Sequence, residues 1–251
     1  MVKLFFTFIF LMFCVFPAQA KQWGGRVGAK VQFSALDGIP LSGLFIPPAS
    51  QGMKTFVLLH GLGSNQEEWQ PFIQKLVKRG YGFLSYDARG HGESTVDGNG
   101  QKISFENFGA PGPGSQWNAM ISDLEQAIGF LLNEKKISKK RIGLMGASLG
   151  ANICIIETGR DKEIPVTVLL SPGLNYAGIV TSRAIEGCND RAVLIAAAPG
   201  DTYAWQSSTL LSQAIAKNKK ALFITGQGNR HGVQMFDGKL ENKILNWLEG
   251  K

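Results

Sequence analysis

The stretch RIGLMGASLGANICII, residues 141–156, carries an apolar run that breaks into glycine, alanine, serine and glycine and then resumes at once. Unbroken apolar residues through Met145 read as a buried strand, and the run from Leu149 reads as a helix that begins within a residue or two of Ser148. A reversal that abrupt forces the backbone into sparsely populated conformations, and strain of that kind persists where it serves a site. Ser148 is therefore either a nucleophile or a small residue in a cramped corner.

The same alternation recurs along the chain. Short apolar runs at 55–60 (TFVLLH), 82–87 (GFLSYD), 166–171 (VTVLLS), 192–198 (AVLIAAA) and 221–226 (ALFITG) join RIGLM as strands, with amphipathic stretches near 68–79, 118–134, 149–159, 207–217 and 239–248. Apolar strands followed by helices predict a largely parallel sheet covered on both faces. Ahead of them, AKVQFSA and PLSGLFI flank Asp37-Gly38, a hairpin-turn signal that adds antiparallel strands at one edge. The glycine- and proline-rich segment 95–116 is the one long irregular connection, either a mobile loop or a small insertion near a site. The connection 171–191 is too short for a helical lid domain.

Gly146-Ala147-Ser148-Leu149-Gly150 has the G-x-S-x-G spacing of a nucleophile elbow. The pattern alone is weak in a chain with 31 glycines, but its place between a strand and a helix is specific. The two glycines relieve crowding around the serine, and the helix N-terminus favours a developing anion. A serine hydroxyl attacks only when a neighbour takes its proton. His60, His91 and His231 all follow strands, at the end of a parallel sheet where ligand chemistry gathers. Asp201, in AAAPGDTYAW, comes just past the next-to-last strand, whereas Glu186 and Asp190 precede that strand at the wrong end of the sheet.

Over residues 28–250 the chain resembles an α/β-hydrolase-fold serine hydrolase of the esterase, dienelactone-hydrolase-like or serine-peptidase-like kind. VLLHGLGSN (57–65) is similar to that family's oxyanion loop, and SYDARGHGES (85–94) resembles its Asp-x-Arg-Gly-His-Gly-x-Ser segment. The resemblance implies an α/β fold with a mostly parallel twisted sheet of about eight strands, helices on both faces and no large cap domain. It further implies a triad of Ser148, Asp201 and His231, in the family's chain order, and an oxyanion hole from the backbone N–H groups of Leu62 and Leu149. His60, Arg89 and His91 would then be structural. Leu174, Asn175 and Tyr176 would lie over the pocket, and Trp69, Phe108, Trp117, Tyr203 and Trp205 are candidates for its walls, with Trp69, Tyr176 and Tyr203 leading. The activity implied is hydrolysis of carboxylic esters of small or medium acyl compounds, with no metal or organic cofactor. A peptidase, thioesterase or acyltransferase would use the same residues, and a binding module that keeps the fold is the non-enzymatic alternative.

The composition fits such a protein. Of 251 residues, 44% are hydrophobic and 18% charged, which excludes a disordered chain. Lys3, the apolar LFFTFIFLMFCVF and Ala18-Gln19-Ala20 resemble a secretory signal peptide over residues 1–20, leaving 21–251 as one domain in the periplasm or outside the cell. An uncleaved membrane anchor is the alternative, although the apolar run is short for a bilayer. Cleavage removes one lysine and no acid, taking the net charge from +7 to +6. There is no block of five like charges and no nucleic-acid-binding motif, so no nucleic-acid partner is expected; the partner that the family resemblance implies is a small ester or acyl compound. Cys154 and Cys188 remain after cleavage; they could pair in an oxidising compartment, although Cys154 sits in an apolar helix where free cysteine is common.

Overall fold

The structure, a computed structural model, describes residues 22–23 and 26–251. The leader expected over residues 1–20 lies outside them. A minimal antiparallel pair, β1 (Gln22–Trp23) and β2 (Arg26–Val27), precedes the hairpin of β3 (Ala29–Ser34) and β4 (Pro40–Ile46). That hairpin turns at Gly38, φ 83°, as Asp37-Gly38 predicts. Thereafter come β5 (Thr55–Leu59), α1 (Gln70–Lys78), β6 (Gly82–Tyr86), α2 (Gln116–Asn133), β7 (Ile142–Ala147) and α3 (Leu149–Arg160). The chain continues through β8 (Val166–Leu170), the short β9 (Asn175–Tyr176) and β10 (Ile179–Val180), and β11 (Ala192–Ala197). It closes with α4 (Thr202–Ala214), β12 (Ala221–Thr225) and α5 (Lys239–Glu249).

Eight strands form one sheet in the order β12-β11-β8-β7-β5-β6-β4-β3, parallel from β12 to β6 and antiparallel through β4 and β3. Every residue of β5, β6, β7, β8 and β11 is buried, which is why these segments are apolar without alternation. One face packs against α2, α3 and α4 through Leu124, Ile128, Ile153, Ile155 and Leu211. The other packs against α1 and α5 through Phe72, Ile73, Ile244 and Leu245. Amphipathic helices and doubly buried strands are thus two sides of one packing requirement.

One expected boundary needs adjustment, and one open alternative can be narrowed. The helix expected at 207–217 begins at Thr202, because its first turn leaves Tyr203 exposed and so breaks the apolar periodicity there. Segment 95–116 is tied down rather than loose. Phe105 stacks on His91 at 4.2 Å, Phe108 meets Trp117 edge-on, and the Trp117 indole donates to the Gly109 carbonyl at 2.9 Å. Cys154 and Cys188 are both free thiols, and both are buried.

Arg89, almost wholly buried, ties the following loop to the body of the protein. Its guanidinium makes a two-pronged ion pair with Asp123 at 2.5 and 2.6 Å and reaches Asp37 and Gln116 at 2.8 and 2.6 Å. The fork geometry is one that only arginine supplies.

Candidate active site

Ser148 follows β7 directly and adopts φ 53°, ψ −119°, a conformation few non-glycine residues hold. Its N–H donates to the Leu170 carbonyl at 2.9 Å, fixing the turn to the adjacent strand. The glycines around it answer to close backbone approach. A Cβ at Gly146 would run into the Gly150 carbonyl, and one at Gly150 would fall 2.5 Å from the Leu59 oxygen and 2.7 Å from the His60 oxygen. The apolar run 141–156 is broken because strand, turn and helix are pressed together there.

His231 and Asp201 come from the ends of β12 and β11. The His231 Nδ1 lies 2.6 Å from Asp201 Oδ2. Asp201 occupies the N-cap position of α4 yet makes no capping bond to its own helix; its carboxylate is turned to the imidazole instead. Ser148 and His231 line one open cleft of about 520 Å³, together with Leu62, Glu68 and Gly232. The Gly232 backbone passes close to Ala147, which holds the histidine loop against the elbow.

The loop after β5 shows a selective use of its amides. Gly61 N–H donates to Glu68 Oε1 at 3.0 Å, Gly63 N–H to His91 Nε2 at 3.2 Å and Ser64 N–H to the Gly61 carbonyl at 3.1 Å. Among the described residues, the Leu62 N–H between them has no acceptor, and neither has the Leu149 N–H at the start of α3. Two unengaged donors therefore flank Ser148, one of them at the positive end of a helix.

His60 and His91 are built into this scaffold. The His60 Nε2 accepts from Ala88 N–H at 3.0 Å, so its Nδ1 carries the proton and donates to the Gly61 carbonyl at 2.8 Å. His91 likewise accepts at Nε2 and donates from Nδ1 to the Arg89 carbonyl at 2.9 Å. Burial, reinforced by the neighbouring His91, pushes His60 down to about 3, and burial lowers His91 as well. Both rings stay neutral, each with its two nitrogens engaged.

The expected pocket walls divide. Tyr176 reaches the site: its ring meets His231 edge-on at 6.2 Å, its hydroxyl donates to the Ser171 carbonyl at 3.4 Å, and the Ser148 side chain lies close to that hydroxyl. Tyr203 stands behind it, accepting from Asn175 N–H and donating to the Asn175 carbonyl, both at 2.9 Å. Trp69 is a correction. It is fully buried between the rings of Phe72 and Phe236 and belongs to the core, since the helical turn it ends packs inward under the sheet. Trp117 and Phe108 pack on one another, and Trp205 packs on Phe223.

Sequence reasoning missed two residues. Ser171, at the end of β8, is fully buried with φ 51°, and its hydroxyl accepts the Gly232 N–H at 2.9 Å, beside His231. Nothing in the sequence marks a serine for that backbone conformation. Glu68 lines the cleft and holds the Gly61 N–H; burial raises its carboxyl above the usual range. Its place directly before Trp69 in a loop-to-helix passage was the available signal.

A parallel sheet with an antiparallel edge, whose strand ends gather a strained serine and a histidine–aspartate pair, is the architecture of α/β hydrolases. The chain belongs to the serine aminopeptidase S33 family of hydrolases, whose model matches residues 51–222. It is 27% identical over 248 residues to the protein YfhR of Escherichia coli O157:H7, covering 87% of this chain and 81% of that one. It is also 27% identical over 188 residues to protein phosphatase methylesterase 1 of Schizosaccharomyces pombe, covering 71% of this chain and 49% of that protein. Among solved structures, the esterase Pf2001 of Pyrococcus furiosus superposes with a TM-score of 0.68 at 20% identity, covering 88% of this chain and 91% of its own.

Proposed function

We propose that this hydrolase cleaves carboxylic esters of small or medium acyl compounds through a Ser148–His231–Asp201 triad and an acyl-enzyme. The observation that carries the reading is the 2.6 Å contact of Asp201 with His231 Nδ1 at the rim of the cleft that Ser148 also lines. In this reading Ser148 attacks the carbonyl carbon while His231 Nε2 takes the hydroxyl proton and passes it to the departing alkoxy oxygen. Asp201 fixes the tautomer with Nε2 free and stabilises the imidazolium. The Leu62 and Leu149 N–H groups receive the oxyanion; one donor of this kind is worth about 3 kcal/mol. Water then repeats the steps on the acyl-enzyme and releases the acid. All groups required belong to the chain, the substrate or water.

Support for a small acyl group comes from the open cleft itself, with Leu62 half exposed at its rim and little apolar wall for a long chain to bury against. The name of the matched family favours a second reading, a peptidase that attacks an amide with the same residues. We also propose that the protein is exported, with cleavage after Ala20.

Labelling with a fluorophosphonate, with and without Ser148→Ala, followed by a panel of matched esters and aminoacyl amides, tests the assignment. Labelling that survives Ser148→Ala refutes it. Amide turnover above ester turnover moves it to the peptidase reading.

A further inference from the structure

Tyr176 is carried on a two-strand hairpin, β9–β10, that sets its ring against His231. Ala177 and Gly178, with φ 47° and 78°, make the tight turn such a hairpin needs. The hairpin is held at three points. Asn152, one turn along α3 from Ser148, donates to the Ile179 carbonyl at 2.8 Å and accepts the Gly173 N–H at 2.9 Å. Thr181 donates to the Gly173 carbonyl at 2.8 Å, and the Tyr203 hydroxyl clamps both backbone groups of Asn175. So much anchoring fixes the Tyr176 ring in a defined place, edge-on to His231 at 6.2 Å and with its hydroxyl near the Ser148 side chain. The hydroxyl's acceptor, the Ser171 carbonyl, lies at 3.4 Å, a long bond that is easily exchanged.

The sheet order says which side of the reacting carbon this is. β7, which ends in the elbow, has β5 on one side and β8 on the other. The loop bearing the Leu62 N–H follows β5. Tyr176 follows β8, and Asp201 and His231 follow β11 and β12 beyond it. An oxyanion directed at Leu62 therefore points away from Tyr176. The departing oxygen, which must face His231 to receive its proton, points toward the tyrosine.

We propose that Tyr176 is a further catalytic residue whose hydroxyl donates a hydrogen bond to the leaving-group oxygen while the tetrahedral intermediate collapses. The proposal rests on Ser148 being the nucleophile. The proton balance is simple. The C–O bond breaks, its electron pair stays on oxygen, and the proton taken from Ser148 by His231 is delivered to that oxygen. Tyr176 keeps its own proton throughout; burial and the nearby Asp201 hold the phenol well above its ordinary value, so it remains a donor.

The test is Tyr176→Phe, which removes the hydroxyl and keeps the ring on His231, read across acetate esters of p-nitrophenol, phenol and propanol. Because negative charge on the departing oxygen grows as the leaving group worsens, kcat/KM should fall less than about threefold for the first and about 10- to 100-fold for the last. A loss of equal size across the series, or none for the propyl ester, overturns the proposal. Tyr203→Phe frees the hairpin without touching Ser148 and should reduce all three esters alike. If phenylalanine disturbs folding, 3-fluorotyrosine at 176, a stronger donor, should raise the propyl rate selectively; an unchanged rate counts against the role. Absence of Ser148-dependent fluorophosphonate labelling in the parent refutes the nucleophile itself, whereas intact labelling with a flat leaving-group profile refutes only the part given to Tyr176.

Discussion

Asp201→Asn separates catalysis from stability at one atom. In the parent, the Asp201 carboxylate contacts His231 Nδ1 at 2.6 Å and makes no capping bond to α4. Asparagine is as good an N-cap residue as aspartate, so the helix loses nothing and folding stability should stay within about 1 kcal/mol. The imidazolium loses its counter-charge. At 2.6 Å and an effective dielectric near 20, that attraction is about 6 kcal/mol at most, an upper bound since the His231 side chain is 38% exposed. The amide also presents an N–H to Nδ1 and invites the tautomer whose Nε2 is already protonated. Both effects point to a loss in kcat/KM of about 10⁴, the size seen when this change is made in a serine protease triad. The assay is ester hydrolysis alongside a thermal melt of the same preparation. A rate within tenfold of the parent in a folded variant would mean that another carboxylate orients His231.

Three further outcomes follow from the geometry. Gly150→Ala places a methyl against the backbone oxygens of Leu59 and His60, at 2.5 and 2.7 Å, and neither oxygen can step aside as a side chain would. Melting should report the upper end of the usual 1–3 kcal/mol overpacking cost, about 3 kcal/mol, with activity lost as the Leu62 loop shifts; parent-like values in both would refute the close approach. Glu157, 5% exposed on α3, is pushed up from 4.5 to about 7 by burial and by the charges of Glu125 and Asp161. An acid with a raised folded pKa contributes most below its unfolded value, and that contribution drains as pH rises through 4.5 to about 7. Glu157→Gln should therefore raise the melting temperature at pH 8 and not at pH 4; an equal shift at both would refute the linkage. Finally, the open cleft, with Leu62 half exposed at its rim, gives long acyl chains little to bury against. For p-nitrophenyl esters kcat/KM should peak at about two to six carbons, since methylenes that extend into water forgo the roughly 0.8 kcal/mol each gains on burial. A maximum at long chains, or a jump in rate at a lipid interface, would show a lid at work.

What the sequence alone determined is whatever local chemistry dictates. Strands β5, β6, β7, β8 and β11 are legible because residues buried on both faces must be apolar in unbroken runs, and the Asp37-Gly38 turn because few residues accept its backbone. The elbow is legible for the same reason: Gly146 and Gly150 are where neighbouring backbone leaves no room for a side chain. Only the tertiary structure decided which polar groups meet. Asp201 is an ordinary helix-capping residue until β11 and β12 lie side by side and turn it toward His231. Leu62 N–H is one amide among several until Glu68, His91 and Gly61 occupy those around it. The aromatics were the least legible of all. A tryptophan contributes the same apolar area to a core as to a pocket wall, so nothing in its neighbours along the chain could tell Trp69, which packs inward, from Tyr176, which meets His231. That choice is made by which face of the sheet each element packs on, a property of the assembled fold and of no local stretch of sequence.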